Sequence, residues 1–242
     1  MKYLNKKFIN NLPKATIHLI ERRLFLLKSR KTQFTQIYRN GGFGPGPSLS
    51  GVGSDLVNTA VIRHAIPDVL RRYQIKSMLD IPCGDLFWMQ YVDLGSTKYT
   101  GADIVTELIQ KNETIYADDS KKFFVLDICC DRLPQVDLIL CRDCFSHLRL
   151  KDAVQAVNNI KRSRSTFLLI TTYSQLTENA ELGSHFARPL NLCEPPFCFP
   201  LPLELINERY IENEDKCLGL WRIADLPQSN VCNEFIKNVF FL

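Results

Sequence analysis

Three aspartates carry the first chemical signal in this chain. Asp80, Asp103 and Asp127 each close an apolar run, and Asp103 follows Asp80 by 23 residues. An acid at such a place accepts hydrogen bonds from hydroxyls or from an exocyclic amine. A separation of roughly 20 residues after a glycine turn suits an acid that takes both hydroxyls of a ribose. The turn itself is Pro82-Cys83-Gly84-Asp85, directly after Asp80 and Ile81. Gly84 lets backbone and ligand approach closely, and a helix starting behind the turn favours negative charge. The competing reading of each Asp is a cap on the next helix. Three acids at successive strand ends beside one glycine turn favour an adenosine site over three separate caps.

A second group follows the apolar run 136–141 and comprises Arg142, Asp143 and His147. A histidine titrates near neutrality and suits a general base. Arg142 suits a carboxylate or a neighbouring acid, and Asp143 suits cofactor or substrate. The competing reading of His147 is a structural residue at a helix start. Cys141, Cys144 and His147 also show a Cys-x2-Cys-x2-His spacing. A zinc site needs a fourth ligand and a second paired knuckle. Cys193 and Cys198 lack that spacing, so no metal is expected.

The elements that must position these residues alternate. Apolar runs over 76–81, 98–104, 123–128, 136–141 and 166–172 read as strands, and helical patterns over 86–93, 105–113 and 150–162 lie between them. Such alternation means a parallel sheet covered on both faces. In that sheet all three Asp face one edge. A further helix is expected over 56–73, capped by Ser54 or Asp55, with Pro67 kinking or splitting it. Residues 174–203 are irregular and rich in Pro, but Leu190, Leu192, Phe197 and Phe199 predict that the segment packs. Arg188 and Asn191 in it are candidates for substrate contact, with loop bracing as the alternative. Two last strands, 204–211 and 216–223, form an antiparallel hairpin.

Ahead of the sheet, residues 14–30 show Ile17, Ile20, Leu24 and Leu27 at helical spacing. Residues 41–54 hold six Gly and two Pro. They read as a linker, or as a lid whose Ser hydroxyls and N–H groups close over a ligand. Two regions follow: 1–49, a basic helix with a Gly/Pro-rich linker or lid, and 50–242, the main domain.

At this point the residues resemble a known family. The sequence is similar to a class I S-adenosylmethionine-dependent methyltransferase over about residues 50–225. Leu79-Asp80-Ile81-Pro82-Cys83-Gly84-Asp85 aligns with that family's first motif, although Pro82 and Leu86 replace two of its glycines. Asp103 matches the ribose-binding acid, Asp127 the adenine-side acid, and Asp137 to His147 the fourth-strand segment beside the transfer site. Ser-Gly-x-Gly-Ser, Asp-x-Pro-Cys-Gly-Asp, Cys-Arg-Asp-Cys and Arg-Pro-Leu-Asn-Leu resemble the signatures of a bacterial subgroup. The resemblance implies an α/β, Rossmann-like methyltransferase fold. Its sheet is seven-stranded and mostly parallel, with helices on both faces and a terminal antiparallel hairpin, behind an N-terminal helical extension. It implies S-adenosyl-L-methionine as cofactor, held by Asp80, Pro82, Cys83, Gly84, Asp85, Trp88, Asp103, Ile104, Asp127, Ile128 and Arg142. It places His147 and Asp143 at the catalytic centre. The alternative is a protein of the same fold that binds S-adenosylmethionine or a nucleotide without turnover.

Composition bounds the acceptor. The chain of 242 residues is 45% hydrophobic and 23% charged, with no apolar run of the ~18 residues that a spanning helix needs. Nine Cys, mostly in apolar runs, suit reduced thiols and a cytoplasmic chain. The net charge of +4 is split: residues 1–40 carry ten Lys or Arg and one acid, Glu21, and the remainder is net acidic. The acidic main domain disfavours a nucleic-acid partner, which needs clustered positive charge. A small molecule or a glycan, methylated at oxygen, is the expected acceptor. The basic N-terminus offers a peripheral membrane contact or packs on the domain.

Overall fold

The structure, a computed structural model, describes residues 27–183 and 187–227 together with residues 16 and 25. The helix expected over 14–30 and the basic N-terminal stretch lie almost wholly outside the described residues. No helix among them is long and apolar enough to cross a membrane.

Seven strands form one sheet: β1 (Ser77–Asp80), β2 (Lys98–Asp103), β3 (Lys121–Val125), β4 (Leu138–Cys141), β5 (Phe167–Tyr173), β6 (Glu204–Asn207) and β7 (Lys216–Arg222). Their order is β3-β2-β1-β4-β5-β7-β6. β1 to β5 run parallel, and β7 is antiparallel to both β5 and β6. This is the Rossmann-like methyltransferase fold. The strand order reverses between β1 and β4, which opens a crevice at their carboxyl ends.

The strands are short and apolar because both faces are buried. On β1, β4 and β5 successive side chains enter two different cores. Met78, Leu138, Leu140 and Leu169 meet Ile62, Ile66, Val69 and Leu70 of helix α2 (Ala60–Arg72). Ile109 of helix α3 (Thr106–Tyr116) joins them. On the other face Leu79, Ile139, Leu168 and Ile170 meet Ala153, Ala156, Val157 and Ile160 of helix α4 (Leu150–Arg162). The Pro-rich segment packs there as expected, with Leu190, Leu192, Phe197 and Phe199 buried in the same core. Each such side chain contributes about 1.5–3 kcal/mol when fully buried.

Several boundaries differ from the sequence reading. No α-helix follows β1; a short 3-10 turn, Met89–Tyr91, stands there instead. Gly84 and Leu86 have φ of 57° and 55°, and a right-handed helix cannot start through that pair. α2 begins at Ala60, and Asp55 caps the turn before it by accepting from Asn58 N at 2.7 Å. Pro67 is buried inside α2 and does not split it. β3 ends at Val125, so Asp127 lies two residues past the strand. Helix α1 (Arg30–Arg39) has no counterpart in the sequence reading; Ser29 caps it, its Oγ accepting from Thr32 N at 3.2 Å.

Candidate active site

A cavity of about 1110 Å³, counted with its open mouth, lies at the carboxyl ends of β1, β2 and β4. Asp80, Pro82, Cys83, Gly84, Trp88, Asp103, Ile104, Asp127, Ile128, Arg142, Asp143 and His147 all line it. Local geometry explains why the floor has this shape. Cys83 N donates to Ala102 O at 2.8 Å, which ties the turn to β2. Gly84 N donates to Asp103 Oδ2 at 3.3 Å, and Asn112 Nδ2 donates to Gly84 O at 2.7 Å. At φ 57° a side chain on Gly84 is strained, and a Cβ there would overlap Ser50 Oγ.

The three aspartates are in three different states. Asp80 is 3% exposed and accepts from Tyr99 Oη at 2.6 Å. Burial raises its pKa to about 7, against the pull of the Tyr99 hydrogen bond. Asp103 is raised by burial to about 6, opposed by the N–H groups of Val105, Gly84 and Ile104. Asp127 is paired. Arg30 Nη2 from α1 meets its Oδ2 at 2.9 Å, and Cys129 N donates to its Oδ1 at 2.9 Å. Arg30 Nη1 also reaches Asp152 of α4 at 2.9 Å. The acid expected to take an exocyclic amine is thus already engaged by a guanidinium.

The second group forms a buried charge cluster. Arg142 directs Nε and Nη2 at Glu208, with Nη2–Oε2 at 2.6 Å, and its guanidinium lies 5.5 Å from the Trp88 ring centroid. Arg142 Nη2 also donates to Gly53 O at 2.7 Å. Asp143 accepts from Lys216 Nζ at 2.6 Å and lies 3.2 Å from Arg142 Nη1. Burial pushes the Asp143 carboxyl up, but Arg142 and Lys216 more than reverse this and hold it at about 2. Such a carboxylate is a fixed anion and a poor base. Asp143, expected at the catalytic centre in contact with cofactor or substrate, lines the cavity in this ionised form. His147, in the turn Phe145–His147, faces the cavity with its ring 4.6 Å from that of Phe43.

Three expected residues do not line the cavity. Asp85 is turned away; it accepts from Ser48 Oγ at 2.9 Å and Leu49 N at 2.7 Å and so anchors the Gly-rich segment. Arg188 donates to the carbonyls of Ala180, Phe145 and Ser146. Asn191 Nδ2 donates to Leu176 O at 2.8 Å, and its N–H is taken by Asn179 Oδ1 at 2.8 Å. Both brace the irregular segment, whose buried carbonyls need donors. Cys141 is fully buried in the core.

Sequence reasoning missed the α1 part of the roof; the part within 41–54 falls in the stretch it read as a linker or lid. Arg30, Phe34, Ile37 and Tyr38 of α1, with Gly42, Phe43, Leu49 and Ser50 after it, cover the opening. The i, i+3, i+4 spacing of Phe34, Ile37 and Tyr38 is the available signal. Glu208 and Lys216 escape it as well, although each is a charge flanking an apolar strand.

No protein-family model matches the chain, and no curated protein matches it. Solved structures with a similar fold include the methyltransferase domain of bacterial CtHen1, at 15% identity over 56% of this chain and 78% of that one, TM-score 0.43. Human N-acetylserotonin methyltransferase in complex with S-adenosylmethionine aligns at 13% identity over 80% and 67%, TM-score 0.48. The N-methyltransferase NodS from Bradyrhizobium japonicum, in complex with S-adenosylhomocysteine, aligns at 14% identity over 58% and 72%, TM-score 0.43. These neighbours are methyltransferases, and the strand order of this chain is what places it in the same Rossmann-like class of fold.

Proposed function

We propose that the chain is an S-adenosylmethionine-dependent methyltransferase that acts on a hydroxyl of a small molecule or a glycan. The observation that carries this reading is the convergence of Asp80, Asp103 and the Gly84 turn on one cavity at the reversal of strand order. The lining suits the cofactor. Ile104, Val105, Leu108 and Leu126 offer apolar surface beside Asp103, and Gly84 leaves the floor open to close approach. When bound, S-adenosylmethionine supplies an already activated methyl group.

In this proposal Asp103 accepts the ribose hydroxyls, and Asp80 supports the turn. Trp88 and Arg142 wall the methionine end. Asp127 holds α1 over the site through Arg30 rather than reading an amine. Residues 1–49 thus include a roof, and Phe34 and Phe43 exclude water from the transfer. The His147 imidazole takes the acceptor's proton. The likeness to a bacterial subgroup with an Asp-x-Pro-Cys-Gly-Asp motif belongs to the same proposal. The eight described cysteines are all free, which supports a cytoplasmic setting.

Thermal unfolding tests the reading. S-adenosylmethionine at ~100 times its Kd stabilises by about 2.7 kcal/mol, or ~5–10 °C for a chain of this size. Asp103→Ala should abolish most of that shift; equal shifts in both proteins would count against the assignment. The second reading, binding without turnover, draws on the pairing of Asp143 with Lys216 and Arg142, which makes that lining carboxylate a poor proton acceptor. Release of S-adenosylhomocysteine in the presence of a hydroxylated acceptor separates the two.

A further inference from the structure

The cluster behind the cavity floor holds two cations, Arg142 and Lys216, and two anions, Asp143 and Glu208. The side chains of Arg142, Lys216 and Glu208 are 4%, 3% and 0% exposed, and that of Asp143 is 27% exposed. Burying three of these charges and part of the fourth is costly, and apolar residues of similar volume commonly serve stability as well or better. A role beyond stability is therefore worth testing. The four divide into two layers. Arg142 and Asp143 line the cavity, whereas Glu208 and Lys216 stand behind them on the β6–β7 hairpin. Glu208 accepts both Nε and Nη2 of Arg142, which leaves Nη1 toward Asp143 at 3.2 Å. Lys216 Nζ lies 2.6 Å from Asp143 Oδ2, 3.6 Å from Glu208 Oε2 and 4.6 Å from the Tyr210 ring centroid. Asp143 N donates to Thr171 Oγ1 at 2.8 Å, which fixes its backbone.

We infer that Glu208 and Lys216 are positioning residues which, through Arg142 and Asp143, keep the cavity floor near zero net charge beside the reacting sulfur. The inference rests on the methyltransferase reading. Methyl transfer turns a sulfonium cation into a neutral thioether. A floor with excess negative charge would stabilise the cation more than the transition state, and so would raise the barrier. Asp143 alone would create that excess, and Lys216 offsets it. Glu208 in turn offsets Arg142, which would otherwise repel the incoming cation.

The readout is the preference for S-adenosylmethionine over S-adenosylhomocysteine, since the two differ by one positive charge at sulfur. One unit charge near the cavity lining, at an effective dielectric constant of about 20, changes such a preference on the order of tenfold. Lys216→Met should raise the preference by about fivefold to tenfold. Glu208→Gln should lower it by a similar factor. Arg142 stays beside Asp143 in both variants, so Asp143 stays ionised. Lys216→Arg and the double variant Lys216→Met/Glu208→Gln, which keep the net charge, should retain the wild-type ratio. Isothermal titration of both ligands into the full-length chain, with folding checked by circular dichroism, gives the ratios. A purely structural role lowers both affinities together and leaves the ratio unmoved. An unmoved ratio, or movement in the same direction in both single variants, overturns the inference. Where one single variant does not fold, the other decides: its ratio should move in the stated direction by more than about threefold, and an unmoved ratio overturns the inference. A wild-type chain that binds both ligands while the variants keep one ratio sinks this inference alone; a wild-type chain that binds neither sinks the methyltransferase reading and this inference with it.

Discussion

Asp80→Asn separates what the fold wants from what the proposed site wants. The side chain is 3% exposed, and burial holds its carboxyl at about 7. In the unfolded chain the same group titrates near ~3.9. A raised carboxyl binds its proton more tightly in the folded state. Its contribution to stability is therefore full below the unfolded value and is lost as pH rises through the folded one. At ~1.4 kcal/mol per unit, the mismatch between the folded and unfolded pKa of Asp80 costs about 4 kcal/mol at pH ~8 and about 1.5 kcal/mol at pH ~5. Asn is nearly isosteric, carries no charge, and can still accept from Tyr99 Oη, which stands 2.6 Å from the carboxylate now. Relaxation and water entry reduce the gain, and half of it is ~2 kcal/mol, or ~4–8 °C in Tm. Differential scanning fluorimetry without ligand should thus show the Asp80→Asn protein melting above wild type at pH ~8, with most of the gain gone at pH ~5. The same substitution should reduce the shift given by S-adenosylmethionine. A lower Tm at high pH, or a gain that ignores pH, would refute the idea that Asp80 sits as an uncompensated buried charge. A wild-type ligand shift in the variant would remove Asp80 from the cofactor's surroundings.

Two further perturbations probe the frame around the site. A Cβ on Gly219 of β7 would overlap the Cη2 and Cζ3 atoms of Trp221, a residue 1% exposed whose Nε1 donates to Pro200 O at 2.7 Å. Gly219→Ala should cost about 1–3 kcal/mol, seen as a lower Tm and an altered near-ultraviolet dichroism of Trp221; an unchanged Tm would show that the ring yields freely. Arg30→Ala removes the bridge from α1 to Asp127 and Asp152, whose cation is 20% exposed. It should cost about 1–2 kcal/mol, between surface and buried pairs, and speed proteolysis near residues 29–41. Arg39→Ala, which breaks the exposed pair with Glu107, should do neither; equal effects of the two would count against Arg30 as the tie that holds the roof.

How much of this is legible in the sequence depends on how local each signal is. β1, β4 and β5 are apolar runs buried on both faces and β2 is nearly so, and their existence follows from those runs. β3 is an edge strand with Lys122, Phe124 and Val125 exposed, so its end gives no burial cue, and the sequence reading places Asp127 on it rather than two residues beyond. A helix after β1 follows from the usual alternation, but left-handed Gly84 and Leu86 forbid it. Arg188 and Asn191 read as candidates for substrate contact or as loop braces, and spacing alone does not choose between the two. A packed irregular segment instead consumes its donors on its own carbonyls, as Asn191 does with Leu176.

What stays illegible is the pairing that the fold creates across long distances. Arg30 meets Asp127 across 97 residues, and Arg142 meets Glu208 across 66. Those two contacts change what the nearby acids can do. Three aspartates that look equivalent along the chain become a buried carboxyl with a raised pKa at Asp80, a loop brace with spare acceptor capacity at Asp103, and a tether at Asp127. The same logic makes Asp143 a fixed anion, held by Arg142 and Lys216. Residue type and spacing locate a site because strand ends converge by topology. The protonation state and the role of each group are set by burial and by partners that only the folded chain supplies. A charged residue at the end of an apolar strand, such as Lys216, is therefore worth reading as half of a pair whose other half must be sought at the same edge of the sheet.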